Sequence, residues 1–302
     1  METAKQNTAA KANLSKGIGL ILLTSCMFAG SDATIKHLGA TIPVLVLLWA
    51  RYVFQSGVLA AWHWARNGSL RLKSRAPMLQ VLRGFLLLCN SSSAFFGVQH
   101  LPLAEFTALM LLAPVATTVL GALILKEHVS ASRWTMVALG VAGMLAVVRP
   151  AGEASIGWGA ALPIFGALCY AAFQLVTRRV ASIDDIVVTN FLSASLIAVV
   201  IGVGLWFLPL DIVPSLRGVD AGHWALLVLM GTLATAGQVS MAAAVRTAPL
   251  SLLMPFAYAQ IGFAAAIGWA LFDHAPDGWT VFGIGLIASA GVGTIWLSGR
   301  GR

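Results

Sequence analysis

The sequence predicts an all-α integral membrane protein whose ten transmembrane helices form two inverted five-helix repeats. Three observations lead to this class. Of the 302 residues, 59% are hydrophobic, only 10% are charged, and the mean hydropathy is +0.87. The apolar residues fall into runs of about 20 residues, the length that crosses a bilayer as a helix. Motifs in the first five runs also align with motifs in the last five.

The first half of the chain contains five of these runs. The first run is too long for the apolar region of a signal peptide, and no small-residue cleavage site follows it. Pro114 interrupts the fourth run, where a proline can kink a helix. In the fifth run, Ala138, Ala142 and Ala146 form a ridge of small residues that permits close helix packing. The predicted spans cover 17–39, 43–64, 77–98, 102–125 and 132–149.

The second half contains the other five runs. Pro255 interrupts the ninth run as Pro114 interrupts the fourth. Gly285, Ser289 and Gly293 give the tenth run a ridge of small residues like that of the fifth, so we expect these two spans to pack together as a scaffold outside the solute path. The predicted spans cover 157–178, 187–208, 222–245, 249–272 and 278–298.

The basic residues predict the orientation of the chain. With the N-terminus placed inside, fourteen Lys and Arg residues lie in the inside segments, and only Lys36, Arg149 and Arg217 lie in the outside segments. Loops with an excess of Lys and Arg remain in the cytoplasm. We therefore expect a multi-pass protein of the cell membrane, typical of a bacterial inner membrane, with both termini cytoplasmic.

Aligned motifs divide the chain into a first repeat, 1–149, and a second repeat, 150–302. The aligned pairs are 100–104 with 247–251, 125–128 with 271–274, and 26–29 with 169–172. Because each half has an odd number of spans, the second copy crosses the membrane in the inverted sense. Alternating-access carriers are built in this way, with the substrate site near the midplane between the repeats.

Four motifs of the first half resemble those of a known family. They are Leu101-Pro102-Leu103-Ala104-Glu105, Leu112-Ala113-Pro114-Val115, Leu125-Lys126-Glu127-His128 and Arg149-Pro150. Together with ten short spans, they resemble the EamA family of the drug/metabolite transporter superfamily. The resemblance covers both halves and is sharper in the first. It implies this fold and a transporter role, and it leaves the cargo open.

Four ionisable residues stand out inside the predicted spans, where a charged group usually faces a cavity or a partner. They are Asp32, Arg51, Arg83 and Glu105. One interpretation is a charged cavity that binds a polar or zwitterionic solute. The alternative is structural: Asp32 and Arg51 form an ion pair between two helices, Arg83 extends to the cytoplasmic surface, and Glu105 is a first-turn acid favoured by the helix dipole.

Uncharged polar residues in the spans add candidates for binding or coupling. Each could hydrogen-bond the solute or a neighbouring helix. Their presence in both halves suits a shared central cavity. They are Asn90, Tyr170, Gln174, Asn190, Gln238, Tyr258 and Gln260.

The function that we predict is a secondary transporter, which moves a small organic metabolite across the cytoplasmic membrane by alternating access. The expected cargo is an amino acid, a vitamin, a nucleoside-like or a related solute. The alternatives are a polytopic membrane enzyme, for which the sequence has no catalytic motif, or a non-transporting membrane scaffold.

The predicted partners are therefore the solute and the lipid bilayer, without nucleic acid. We expect no cofactor and no metal, and Cys26, Cys89 and Cys169 are expected to be buried structural thiols. No feature of the sequence indicates a homodimer, which stays open.

Overall fold

The computed structural model describes most of the chain, and every regular element in that part is helical. The described residues are 2–39, 41–69, 73–100, 110, 112–126, 129–148, 161–207, 220–272, 278–279, 281–283, 285–286, 288–290 and 293. Within these ranges there is no β-strand, as the composition predicts.

Five helices in the described part of the first half overlap the predicted spans. They are α1 (Glu2–Leu38), α2 (Val44–Asn67), α3 (Pro77–His100), α4 (Ala113–Ile124) and α5 (Ala131–Val148). Helix α1 begins well before its span, and α4 covers only the second half of its span. Pro114 lies in the first turn of α4, where a proline costs no helical hydrogen bond. Helix α2 ends at Gly68, whose φ of 64° is left-handed and favours glycine, and whose N–H donates to the carbonyl of Trp64 at 2.8 Å.

The second half continues with three long helices and an interrupted one. They are α6 (Ala161–Val180), α7 (Ile186–Phe207), α8 (Ala221–Ala244), α9 (Leu250–Leu253) and α10 (Ala259–Phe272). Pro255 lies in a 3₁₀ segment, Met254–Tyr258, which separates α9 from α10. The predicted interruption of the ninth span is therefore confirmed.

Six helices of the described part are long and apolar enough to cross a membrane. They are Asn13–Leu38, Val44–Asn67, Ala161–Val180, Ile186–Phe207, Ala221–Ala244 and Met254–Leu271. Three shorter apolar helices are Val115–Ile124, Trp134–Gly143 and Val281–Ala290. The protein is thus an all-α, multi-pass membrane protein, and the count of ten spans stays a prediction.

The helices pack in a regular set of pairs. Helix α1 packs on α8, α3 on α6 and α2 on α7; α1 also contacts α10, and α4 contacts α6. One cluster of buried apolar side chains joins α2, α3, α6 and α7. A second cluster joins α1, α6, α8 and α9. Helices from both halves of the chain therefore share each core.

Two further expectations concern small residues and cysteines. Gly293 lies against Met136 of α5, so the predicted fifth and tenth spans are in contact. Cys169 is buried and Cys89 is half-buried, but Cys26 is exposed, so the expectation of three buried thiols is wrong for Cys26. Its helix position turns its side chain away from the neighbouring helices.

Candidate functional site

Arg83 of α3 is the largest fully buried side chain of the described part, with 0% of its surface exposed. Its Nε donates to Thr177 Oγ1 at 2.8 Å, and its Nη1 donates to Ser193 Oγ at 2.7 Å and to the Thr189 carbonyl at 3.0 Å. Its Nη2 donates to Asn190 Oδ1 at 3.1 Å. A first-half helix is thereby tied to two second-half helices, α6 and α7.

The alternative in which Arg83 extends to the cytoplasmic surface is wrong, because its acceptors hold it inside the bundle. The guanidinium also lies over the ring of Phe173, with 4.5 Å between Cζ and the ring centroid. Among the described residues, no carboxylate forms an ion pair with Arg83. Its charge is balanced only by neutral acceptors and an aromatic face.

Two tyrosines, Tyr52 and Tyr170, lie beside Arg83. The hydroxyl of Tyr52 is 2.9 Å from Ser91 Oγ, a contact between α2 and α3. Tyr170 stacks on Phe173 with ring centroids 5.7 Å apart and accepts a hydrogen bond from Gln174 Nε2 at 3.3 Å. Together with Arg83, these residues form a polar cluster between α2, α3 and α6, which we call the arginine cluster.

Arg51 lies next to this cluster, near Tyr170, and is within electrostatic range of the Asp32 carboxylate. It forms no ion pair with Asp32 within the described part of the chain. Asp32 instead accepts a hydrogen bond from Gln260 Nε2 at 3.1 Å, which joins α1 to α10. The structural alternative of an Asp32–Arg51 ion pair is therefore wrong for this conformation.

Several buried polar atoms near the cluster have no hydrogen-bond partner. They are Arg51 Nε, Asn90 Oδ1 and Gln174 Oε1. Gln174 is fully buried, and Asn90 precedes Ser91, which contacts Tyr52. Unpaired polar groups in a protein interior are costly and require an explanation.

The remaining candidates lie on other elements. Gln238 is buried in α8, and its Oε1 also has no partner. Tyr258 is buried in the 3₁₀ segment, where its ring packs against Gly140 of α5. Glu105 lies outside the described residues. The structure thus brings together Arg51, Arg83, Tyr170, Gln174 and Asn190, and it places Asp32, which Gln260 hydrogen-bonds, within electrostatic range of Arg51.

A second polar network lies at the end of the bundle and was not predicted. The Asp184 carboxylate, in the turn between α6 and α7, accepts hydrogen bonds from Ser74 Oγ, from the Arg75 amide at 2.8 Å and from Gln80 Nε2 at 2.8 Å. Its backbone carbonyl accepts from Arg246 Nη2. We call these residues the Asp184 network.

Hydrogen bonds also set the ionisation of Asp184. Burial alone would raise the pKa of its carboxyl group, but the hydrogen bonds that the carboxylate accepts lower the pKa by more. The net pKa is below its usual value, so the network contains a carboxylate at neutral pH. The polarity of Ser74 and Asp184 gave no signal in the sequence, because both residues lie in predicted loops.

Within the described ranges, no three residues among His, Cys, Asp and Glu are grouped so that they could hold an ion.

Charged side chains buried inside a bundle of membrane-crossing helices are typical of membrane transporters. The profile of the EamA-like transporter family matches residues 15–149. The resemblance to the EamA family of the drug/metabolite transporter superfamily, which the motifs predicted, is therefore confirmed for residues 15–149.

Similar proteins span almost the whole chain. The pseudopaline exporter CntI of Pseudomonas aeruginosa is 24% identical over 92% of this chain and 95% of the exporter. The S-adenosylmethionine uptake transporter of Rickettsia felis is 23% identical over 94% of this chain and 93% of that protein. The riboflavin transporter of Rhizobium johnstonii is 26% identical over 74% of this chain and 72% of that protein. The chain is thus similar to transporters of small molecules, which points away from an enzyme.

A solved crystal structure has the same fold. It covers 96% of this chain, and this chain covers 99% of it, with a TM-score of 0.78 and 18% sequence identity. At this identity, the similarity shows the fold alone.

Proposed function

We propose that the protein is a secondary transporter that moves a small organic metabolite across the cell membrane by alternating access. The observation that carries this proposal is the arginine cluster, in which polar side chains of both halves of the chain meet inside the bundle. Ionisable residues within membrane helices usually mark a substrate or ion pathway. A non-transporting scaffold would gain nothing from the unpaired polar atoms of Arg51, Asn90 and Gln174.

The helix pairs support the two inverted repeats, 1–149 and 150–302. If α1, α2 and α3 correspond to α6, α7 and α8, exchanging the halves converts the α1–α8 pair into the α6–α3 pair. It leaves the α2–α7 pair unchanged. All three pairs occur in the fold. A carrier with this symmetry can interconvert two conformations in which the halves exchange roles.

The Asp184 network supports the proposal that the carrier is closed at one end in this conformation. Ser74, Asp184 and Arg246 belong to three separate connections, all of which the basic residues place inside. We propose that the network is the closed cytoplasmic gate of this conformation. Opening the inside would then require the Asp184 carboxylate to lose its donors.

The cargo is a metabolite, and the direction of transport stays open. The relatives are named for pseudopaline, S-adenosylmethionine and riboflavin, and for export as well as uptake. This range supports a common fold with a site that differs from one relative to the next.

Counterflow in proteoliposomes tests the proposal. Vesicles with the purified protein are loaded with an unlabelled bacterial metabolite extract, and a uniformly ¹³C-labelled extract is added outside. We expect saturable accumulation of labelled solutes, identified by mass spectrometry. Vesicles without protein, and vesicles with an Arg83→Gln variant that remains monodisperse, serve as controls. If wild-type vesicles accumulate no more label than empty vesicles, the protein is a scaffold and not a carrier.

A further inference from the structure

We propose that Arg51 binds the carboxylate of the transported solute, so that the cargo is an organic acid that also carries a hydrogen-bond donor. This inference rests on the proposed function and deepens it.

The guanidinium of Arg51 has no partner that satisfies it within the described part of the chain. Its buried Nε has no hydrogen-bond acceptor, and no ion pair is formed with Asp32. The ring of Tyr52, 5.6 Å from Cζ, belongs to the adjacent residue. A cation at this depth in a membrane helix is costly without a partner. An arginine that the protein leaves unpaired is available to a planar carboxylate, which it can bind through two parallel N–H groups.

The charges around Arg51 favour a carboxylate over a phosphate. Among the described residues, the charged groups of this region are Arg51, Arg83 and Asp32, which sum to one positive charge when all are ionised. Four N–H donations already fix Arg83, so it contributes its charge to the site and leaves direct binding to Arg51. A single carboxylate neutralises this sum. A phosphate monoester carries about −1.5 to −2 and would leave an excess of negative charge.

The unpaired acceptors near Arg51 indicate that the solute carries a hydrogen-bond donor in addition to its carboxylate. Gln174 Oε1 and Asn90 Oδ1 are buried and accept no hydrogen bond, although each is an amide oxygen with two lone pairs. Gln174 already uses its Nε2 on Tyr170, which fixes the amide with its oxygen free. A solute with an amino, amide or hydroxyl group can donate to these oxygens. An organic acid with such a donor therefore satisfies both kinds of unpaired group.

The test uses the labelled extract described above with three variants of Arg51 and its helix. Arg51→Gln removes the charge, Arg51→Lys keeps the charge but loses the planar pair of donors, and Arg66→Gln is a matched control in the exposed last turn of α2. We expect every solute accumulated by the wild type to carry a carboxylate. We expect Arg51→Gln to lower its exchange at least about tenfold, which corresponds to about 1.4 kcal/mol. Arg51→Lys should be intermediate, and Arg66→Gln unchanged.

A second measurement does not depend on the folding of any variant. The methyl ester of the accumulated solute, which has no negative charge, should not exchange on the wild-type protein. The inference is overturned if the wild type accumulates solutes without a carboxylate, phosphate esters included, or if Arg51→Gln exchanges like the wild type. If the wild type accumulates nothing, the proposed function fails, and this inference fails with it.

Discussion

Arg83 shows how a single side chain connects stability to function in this fold. A guanidinium has five N–H groups and cannot be deprotonated at physiological pH. Four donations to Thr177, Thr189, Asn190 and Ser193 solvate it in place of water. Because all these acceptors are neutral, the positive charge remains in the bundle and acts on whatever binds beside it.

Replacing Arg83 should therefore destabilise the protein even when the charge is kept. Arg83→Lys retains the charge but cannot reach acceptors on both α6 and α7, so we expect its melting temperature to fall by at least about 2–4 °C, and that of Arg83→Gln to fall as well. Intrinsic tryptophan fluorescence of the detergent-solubilised protein measures the transition. Arg66→Gln, which changes an exposed arginine, should have no effect. An unchanged melting temperature for Arg83→Lys would mean that charge alone, and not the hydrogen bonds, holds α3 in place.

Asp184 should make stability depend on pH in a defined direction. Its pKa is lowered in the folded protein, so the carboxylate stabilises the fold above the ordinary pKa of an aspartate, about 3.9, and this contribution is lost as the pH falls through the folded pKa. We expect Asp184→Asn to melt below the wild type at pH 7. The difference should be unchanged from pH 8 to pH 6 and should shrink near pH 3.5. A difference that is as large at pH 3.5 as at pH 7 would contradict a role of the charge.

At the level of single residues, sequence analysis identified the cations but not their partners. Arg51 and Arg83 are conspicuous because charge is rare in apolar runs. Thr177 and Ser193, by contrast, are ordinary polar residues whose importance depends on which helix faces α3. The pairing of Asp32 with Gln260 likewise joins positions 228 residues apart, which no local pattern encodes.

At the level of helices, glycines decide how closely α1 and α8 approach. A Cβ added to Gly237 of α8 would lie 2.6 Å from Cε1 and 2.8 Å from Cδ1 of Phe28, which belongs to α1. The ring of Phe28 occupies the space that a side chain at position 237 would need, so the two helices approach more closely there than a larger residue would permit. This contact fixes how one half of the chain sits on the other.

A substitution at this contact should be costly although alanine favours helices. We expect Gly237→Ala to destabilise the protein by about 1–3 kcal/mol, the usual cost of overpacking. Gly19→Ala is the matched control, since nothing lies within 4 Å of a Cβ at Gly19 in α1. It should be neutral or stabilising by up to about 1 kcal/mol. The melting temperatures of both variants in detergent measure these two effects. Equal shifts in melting temperature for Gly237→Ala and Gly19→Ala would show that helix propensity outweighs packing at Gly237.

Hydropathy predicted the helices well, because a run of about 20 apolar residues in a membrane has few alternatives to a helix. The bounds of α2, α3, α6, α7 and α8 agree with the predicted spans within a few residues. The break near Pro255 was also predicted. What hydropathy could not predict is which faces meet, because lipid and neighbouring helices are equally apolar surroundings.

For the whole molecule, the fold establishes which connections share one end of the bundle. The Asp184 network joins three connections that the charge count places inside. At the opposite end, the rings of His37 and His223, both predicted near the outside, lie 6.5 Å apart. Each contact joins segments predicted for the same side. The absolute orientation of the bundle is a further prediction that an experiment can test.

That orientation is predicted to place both termini in the cytoplasm. Two exposed positions in short connections distinguish the alternatives: Thr41, between α1 and α2, and Ser182, between α6 and α7. In a background without Cys26, Cys89 and Cys169, a membrane-impermeant maleimide added to intact cells should label Thr41→Cys. It should label Ser182→Cys only after permeabilisation. Because inverting the molecule exchanges both results, the opposite pattern would mean that the basic residues of the tails and loops do not determine the topology. The Asp184 network would then close the outer end of the carrier.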